Sequence, residues 1–179
     1  RSNSISEPEK AYLPDPELLK RAAMHTDIND IVLNEADMSV FFADPDLSID
    51  LGAVAKGYAT ELVAQEMLKS EVTSFYINAG GNVRLGSGPM DGRDNWGVAI
   101  QDPDKSVFGD VNSDLMDVLF LHNASVVTSG DYQRYFVYEG KRYHHLISPD
   151  TLMPTDFMRS VTIITEDSGW ADLLSTVVF

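Results

Sequence analysis

The 179-residue sequence contains no cysteine. That excludes disulfides, thiolate metal centres and a cysteine nucleophile. It fits either a cytosolic protein or a bacterial extracytoplasmic one that needs no covalent cross-links. Basic residues are scarce: 13 Lys plus Arg stand against 28 Asp plus Glu, a formal charge of −15. Such a surface repels nucleic acid and anionic membranes, because phosphate binding needs a positive field, so no nucleic-acid partner is expected. A phosphate ligand must then be held by a local device such as a metal, a helix N-terminus or a well-placed lysine. No apolar run approaches the roughly 20 residues of a membrane span, and no signal peptide is visible. The sequence begins at Arg1 and ends at Phe179 inside an expected helix, and it reads as a fragment or a processed form.

What is present is an ordinary globular composition, 44% apolar and 9% aromatic, in a length that suits one domain with a substantial core. Residues 1–16 are polar with three prolines and read as a lead-in. The pattern Leu18, Leu19, Ala22, Ala23 predicts a short amphipathic helix over Glu17–Thr26. Ile31–Leu33 and Met38–Phe42 flank a polar turn and predict a hairpin. A helix is expected from Gly52 to about Lys69, with Val54, Tyr58, Leu62 and Met67 near one face. Strands are expected at Thr73–Asn78, Trp96–Gln101, Leu115–Leu121, Ser125–Thr128 and Ser160–Thr165. A hairpin is expected from Arg134–Tyr138 and Arg142–Ile147 around Glu139-Gly140, and a last helix from Trp170. Mostly antiparallel hairpins with a few long helices predict an α+β fold.

Five segments could carry chemistry, and each also has a plainer structural reading. Asp50 and the small residues Gly52, Ala53 and Ala55 open the long helix, with Lys56 in its first turns. Free amides and the helix dipole there attract anions; the alternative is an ordinary N-capped helix packed on a sheet. Asn78-Ala79-Gly80-Gly81-Asn82 closes a strand with paired glycines, which let a ligand lie on bare backbone or simply make a tight turn. Thr128-Ser129-Gly130-Asp131-Tyr132 is another small, polar strand end. Asp131 there suits a metal, a ribose or a proton, or merely caps a turn. His144 and His145 fall on opposite faces of a strand, so only one faces a given site; a proton-transfer role competes with one surface and one packed histidine. Asp172 and Thr176 share a helix face four residues apart, as hard oxygen ligands for Mg²⁺ or as a surface pair.

Their joint order is more specific than any one of them. The blocks DLGAVAKGYA, INAGG, TSGDY, HHLISPDTLMP and ADLLST, spread over about residues 48–179, resemble the FAD:protein FMN transferases of the ApbE type, once described as thiamine-biosynthesis lipoproteins. The resemblance implies an α+β fold of the tunnelling-fold-like kind. It also implies Mg²⁺-dependent cleavage of the FAD diphosphate, with FMN attached through a phosphoester to a Thr or Ser of an acceptor protein, such as a flavin subunit of a membrane redox complex. Some relatives instead hydrolyse FAD to FMN and AMP, and a non-catalytic FAD-binding protein is a third reading.

Carried over by position, the Ala53 carbonyl, Asp172 and Thr176 would be the Mg²⁺ ligands. Asp50 and Lys56 would contact FAD, with Lys56 near the diphosphate. Asn78, Ala79, Gly80 and Gly81 would line the flavin cleft with Ser129, Gly130 and Tyr132, and Ile147 would touch FAD too. His145 is the expected general base for the acceptor hydroxyl, with Asp131 the runner-up. The chain is expected to form a single domain, 1–179, the C-terminal core of that fold without the family's further N-terminal region. An extracytoplasmic, membrane-anchored lipoprotein is the expected setting. One departure stands out: where the family shows Thr-Gly-x-Pro, this sequence has Thr151-Leu152-Met153-Pro154, so the loop is expected to run differently there.

Overall fold

The structure is a computed structural model and describes residues 10–105 and 114–179. The first nine residues of the expected lead-in lie outside the described residues. In chain order the elements are α1 (Pro16–Ala23), a 3₁₀ turn (Ile28–Asp30), β1 (Ile31–Asn34), β2 (Ser39–Phe42), α2 (Ala55–Lys69), β3 (Tyr76–Asn78), β4 (Asn82–Leu85), β5 (Trp96–Gln101), β6 (Leu115–Leu121), β7 (Ser125–Gly130), β8 (Tyr135–Tyr138), β9 (Lys141–His144), β10 (Ser160–Thr165) and α3 (Ser168–Val178). All named strand pairs are antiparallel, and the fold is α+β as expected. Among the described residues no helix is long and apolar enough to cross a membrane.

The chain divides into two compact units. One comprises residues up to Asp50 together with Tyr135–Pro154, and the other comprises Leu51–Arg134 with Thr155–Phe179. In the first, Asp15 caps α1 by accepting from the Glu17 amide at 2.8 Å, and proline occupies the first helical turn, where its missing N–H costs nothing. β1 pairs with β2 from Ile31↔Phe42 to Asn34↔Ser39. β8 pairs with β9 around Glu139 and Gly140, whose φ values of +49° and +77° are those a two-residue hairpin turn demands.

In the second unit a four-stranded sheet runs in the order β10-β7-β4-β3. Strand β4 is buried along its whole length and serves two layers. Val83 and Leu85 join Val98 and Val126 in the apolar core, with Trp96, Ile100, Leu119 and Leu121 of the β5–β6 hairpin against it. Strand alternation turns Asn82 and Arg84 to the opposite face, where they meet α3 and α2.

Helix α2 departs from the sequence reading in two ways. It begins at Ala55 rather than Gly52, after a turn in which the Val54 and Ala55 amides close on the Leu51 carbonyl at 3.0 and 2.9 Å. Its buried face is Gly57, Thr60, Glu61 and Ala64, while Tyr58 and Leu62 of the expected apolar stripe are 63% and 47% exposed. The reason is close approach: α2 meets α3 through small and polar residues, so the bulky residues point away.

Candidate functional site

The site grows from the contact between the first turn of α2 and the first half of α3. Asp167 caps α3, accepting from the Trp170 amide at 2.9 Å. Asp172 follows one turn in, buried at 4% exposure. Its Oδ2 accepts the Gly57 amide at 2.8 Å, and its Oδ1 lies 3.4 Å from Lys56 Nζ. A Cβ at Gly57 would strike the Ser168 carbonyl and the Asp172 Cβ, so only glycine permits this approach.

This contact changes the use of the neighbouring backbone. In a regular helix the Gly57 amide would bond the carbonyl four residues earlier, that of Ala53. Here it donates to Asp172, whereas the next amide, Tyr58, closes normally on Val54 at 2.9 Å. The Ala53 carbonyl is thereby released from its helical donor, one turn from a buried carboxylate. Thr176 stands one turn beyond Asp172 and is half-buried, its hydroxyl 3.4 Å from the Asp172 carbonyl. The donor set of a backbone carbonyl, a carboxylate and a hydroxyl is all hard oxygen. It fits Mg²⁺, which takes oxygen ligands and retains waters, and does not suit a soft metal. Lys56 is 42% exposed, so its long ion pair with Asp172 adds little stability and its charge is available to a ligand anion.

The other predicted residues fall as follows. Asn78–Asn82 is a two-residue hairpin turn: the Ala79 amide bonds the Asn82 carbonyl at 2.9 Å, and Gly80 and Gly81 have φ of +63° and +91°. The Asn78 carboxamide accepts the Gly81 amide at 3.0 Å. At Gly80 there is open space around the Cβ position, so its glycine serves the backbone conformation. Ser129 Oγ lies 2.8 Å from Ser175 Oγ, which also bonds the Asp172 carbonyl at 2.9 Å, linking the end of β7 to the α3 turn that carries Asp172. A Cβ at Gly130 would strike the Tyr132 ring, and burial pushes the Tyr132 phenol up from its ordinary pKa. Asp131 is buried and accepts from Arg159 Nε at 2.7 Å, a bond that raises the Arg159 pKa further. That carboxylate oxygen is thus already engaged by a guanidinium.

Asp50, His145 and Ile147 belong to the first unit. Asp50 is exposed and His145 half-buried just beyond β9. His144 ends that strand, buried, and its Nδ1 accepts the Leu146 amide at 3.2 Å. The two histidines thus differ as strand alternation predicts, with His144 the packed one. Ile147 is 45% exposed and bridges Pro154. Between them Leu152 holds φ +57°, and the Ser148 and Leu152 amides bond the Met153 and Ser148 carbonyls, both at 2.9 Å. The leucine adopts the left-handed conformation that a glycine would favour, a local strain of order 1 kcal/mol.

Sequence reasoning missed the polar groups behind Asp172. Glu61, Arg84, Asn82 and Ser168 are all buried; Asn82 and Arg84 lie on β4, a strand the sequence reading did not expect, and the alternation Asn-Val-Arg-Leu was the signal available for it. It also missed the pair His25–Asp44 in the first unit, whose Nδ1 and Oδ2 lie 2.6 Å apart. His25, Asp44 and Asp46 offer three ligand atoms within 4.8 Å of one another. Asp44 spends them locally, however, accepting from the Asp46 amide at 2.9 Å as well.

That pair carries a pH prediction. The hydrogen bond to Asp44 raises the His25 pKa, and the Asp46 amide, then His25, lowers that of Asp44. A raised histidine stabilises fully below its unfolded value near 6.5 and loses the contribution as pH rises through its folded value. The lowered aspartate stabilises above about 3.9 and loses the contribution as pH falls through its folded value. The tie therefore holds between those limits and loosens on the alkaline side. In an NMR titration the His25 midpoint should lie above that of the Asp44→Asn variant, which should return to about 6.5. Equal midpoints would contradict the ion pair.

Comparison with known proteins agrees with the family that the sequence blocks resemble. The model of the ApbE family matches residues 3–179. The chain is 36% identical over 169 residues to an FAD:protein FMN transferase of Klebsiella pneumoniae, covering 93% of this chain and 49% of that protein. It is 35% identical over 185 residues to the FAD:protein FMN transferase of Treponema pallidum, with 96% and 49% covered. Among solved structures, the ApbE protein of Thermotoga maritima superposes with a TM-score of 0.81 at 37% identity, over 94% of this chain and 52% of that one. The flavin transferase ApbE of Vibrio cholerae gives 0.75 at 27%, over 92% and 50%. The chain thus spans about half the length of the curated relatives it matches. With a family model matched from residue 3 to residue 179, the chain belongs to the ApbE family.

Proposed function

We propose that this protein transfers FMN from FAD to a threonine or serine hydroxyl of an acceptor protein, with Mg²⁺ held by the Ala53 carbonyl, Asp172 and Thr176. The observation that carries the reading is the Gly57–Asp172 bond, which anchors one carboxylate oxygen and releases the Ala53 carbonyl. The names of the relatives, FAD:protein FMN transferases, support the reaction. In it the acceptor oxygen forms a bond to the FMN phosphorus, the diphosphate P–O bond breaks, AMP leaves, and the hydroxyl proton passes to a base. Bound Mg²⁺ supplies charge neutralisation of the diphosphate.

The chain's own residues do the rest. Lys56, beside Asp172, adds a cation for the leaving phosphate, which a protein of net charge −15 needs in particular. The Asn78–Gly81 turn and Ser129–Tyr132 offer small, polar walls for the flavin. His145 is the base in this reading, because Asp131 is engaged by Arg159; Asp50 and Ile147 contact FAD. An acceptor that is a flavin subunit of a membrane redox complex, and an extracytoplasmic, membrane-anchored setting, belong to the same proposal.

The test is incubation of the protein with FAD, Mg²⁺ and an acceptor bearing a target threonine. A covalently fluorescent acceptor band with one AMP released per flavin is expected. Free FMN and AMP without labelled acceptor would instead make the protein an FAD pyrophosphatase. Intact FAD at every Mg²⁺ concentration would leave a binding protein without turnover.

A further inference from the structure

Two hydrogen bonds donated by backbone amides tie α2 to α3, one helical turn apart. The outer one is Gly57 N–H to Asp172 Oδ2 at 2.8 Å. The inner one runs the other way: the Ser168 amide donates to Glu61 Oε2 at 2.9 Å. Glu61 follows Gly57 by four residues, and Ser168 precedes Asp172 by four, so the contacts stack as rungs between antiparallel helix faces. The same Glu61 Oε2 accepts from Arg84 Nε at 3.0 Å, and Arg84 is itself held to the Leu85 carbonyl at 2.6 Å. Ser168 Oγ donates to Asn82 Oδ1 at 2.5 Å. Thus β4 grips the inner rung from both sides. Glu61 and Arg84 side chains are only 10% and 8% exposed, so the ion pair lies where leaving either charge alone is expensive.

From this arrangement we propose that Glu61 is a positioning residue. Its carboxylate fixes the sliding register of α3 along α2, and that register aims Asp172 at the first turn of α2. The inference rests on the reading of Asp172 as a metal ligand. Its physical content is that a buried carboxylate one helical turn behind the Gly57–Asp172 contact sets the affinity of the site by locking one N–H of a neighbouring helix. Outer groups that orient a ligand typically alter metal affinity by about 10–100-fold. Asn82 is consistent with a tightly set register: its Nδ2 is buried without a hydrogen-bond partner, 3.1 Å from where a Gly57 Cβ would stand, in a gap too narrow to admit one.

The experiment compares two double variants, both carrying Arg84→Met so that no buried cation is stranded. Glu61→Leu/Arg84→Met removes the acceptor for the Ser168 amide. Glu61→Gln/Arg84→Met restores an acceptor oxygen without the charge. Two quantities are read: hydrogen exchange of the Gly57 amide in the metal-free protein, and the Kd for Mn²⁺ by EPR. For the leucine variant, Gly57 exchange and Kd should both rise about tenfold, and the glutamine variant should bring both within about threefold of the parent. Thermal melting that is alike in the two variants shows that the rescue is not one of general stability. Identical Gly57 exchange and identical Mn²⁺ affinity in the two variants would overturn the proposal. A parent whose Gly57 amide is protected but which binds no Mn²⁺ overturns the metal reading, and with it the site that Glu61 is proposed to position.

Discussion

Asp172→Ala should reduce Mg²⁺-dependent turnover by at least about 100-fold, the largest loss expected of any single change at the site. The argument has two parts. First, alanine removes the one charged group in the proposed donor set, and a hard cation depends on that charge. Second, it orphans the buried Gly57 amide, a cost of about 1–3 kcal/mol, unless that amide returns to the Ala53 carbonyl and so removes a second ligand. Asp172→Asn separates the two parts. The asparagine oxygen can still accept from Gly57, so the fold should melt near the parent temperature while Mg²⁺ dependence is lost. A Mg²⁺ titration of turnover beside a thermal melt of both variants checks this. Unchanged turnover in Asp172→Asn would remove Asp172 from the metal site.

Gly57→Ala should lower the melting temperature and weaken the site together. Alanine in place of glycine favours a helix by up to about 1 kcal/mol. Against that, the new methyl would meet the Ser168 carbonyl and the Asp172 Cβ, both on α3 and neither at the end of a flexible side chain. Overpacking of this kind costs about 1–3 kcal/mol, and forcing the helices apart also breaks the Gly57–Asp172 bond. A net loss of about 2 kcal/mol corresponds to a fall of roughly 4–8 °C for a protein of this size. Ala59→Gly, on the exposed side of the same helix, should cost about 1 kcal/mol from propensity alone and leave metal binding intact. If Gly57→Ala melts at the parent temperature or above, the two helices do not approach as described.

The hairpin at Glu139-Gly140 was legible in the sequence because its turn is written in single residues that adopt the positive φ it requires. Gly80 and Gly81 also announced a turn, but the strand Asn82–Leu85 that makes it a hairpin was not expected. The Asp172–Thr176 spacing likewise announced a shared helix face. Helix α2 was misread for a physical reason. An apolar stripe predicts a buried face only when burial is by bulk, and here α2 is buried through glycine, threonine, glutamate and alanine. Lys56 was picked out by its charge at a helix start, but its neighbour Gly57 determines the contact, and nothing local marks which of several glycines will meet another helix. Glu61 and Arg84 could not be paired by eye, since a polar residue in a strand or helix reads as solvent-facing until its partner across the fold is known. Leu152 shows the converse: the sequence marks a missing glycine, and the backbone adopts the glycine-like conformation regardless.

The two rungs between α2 and α3 span 115 and 107 positions of the chain. Each therefore closes a very long loop, whose entropy must be surrendered before the bond can reward it. Neighbouring-strand hairpins such as β5–β6 need no such wait. Folding of the second unit should then run from local hairpins to a late docking of α3, with the carboxylate reaching its place among the last events. In a chain without cysteine no disulfide can hold that closure, so the proposed ligand site should come into being, and be lost, on the timescale at which one eleven-residue helix joins and leaves its sheet.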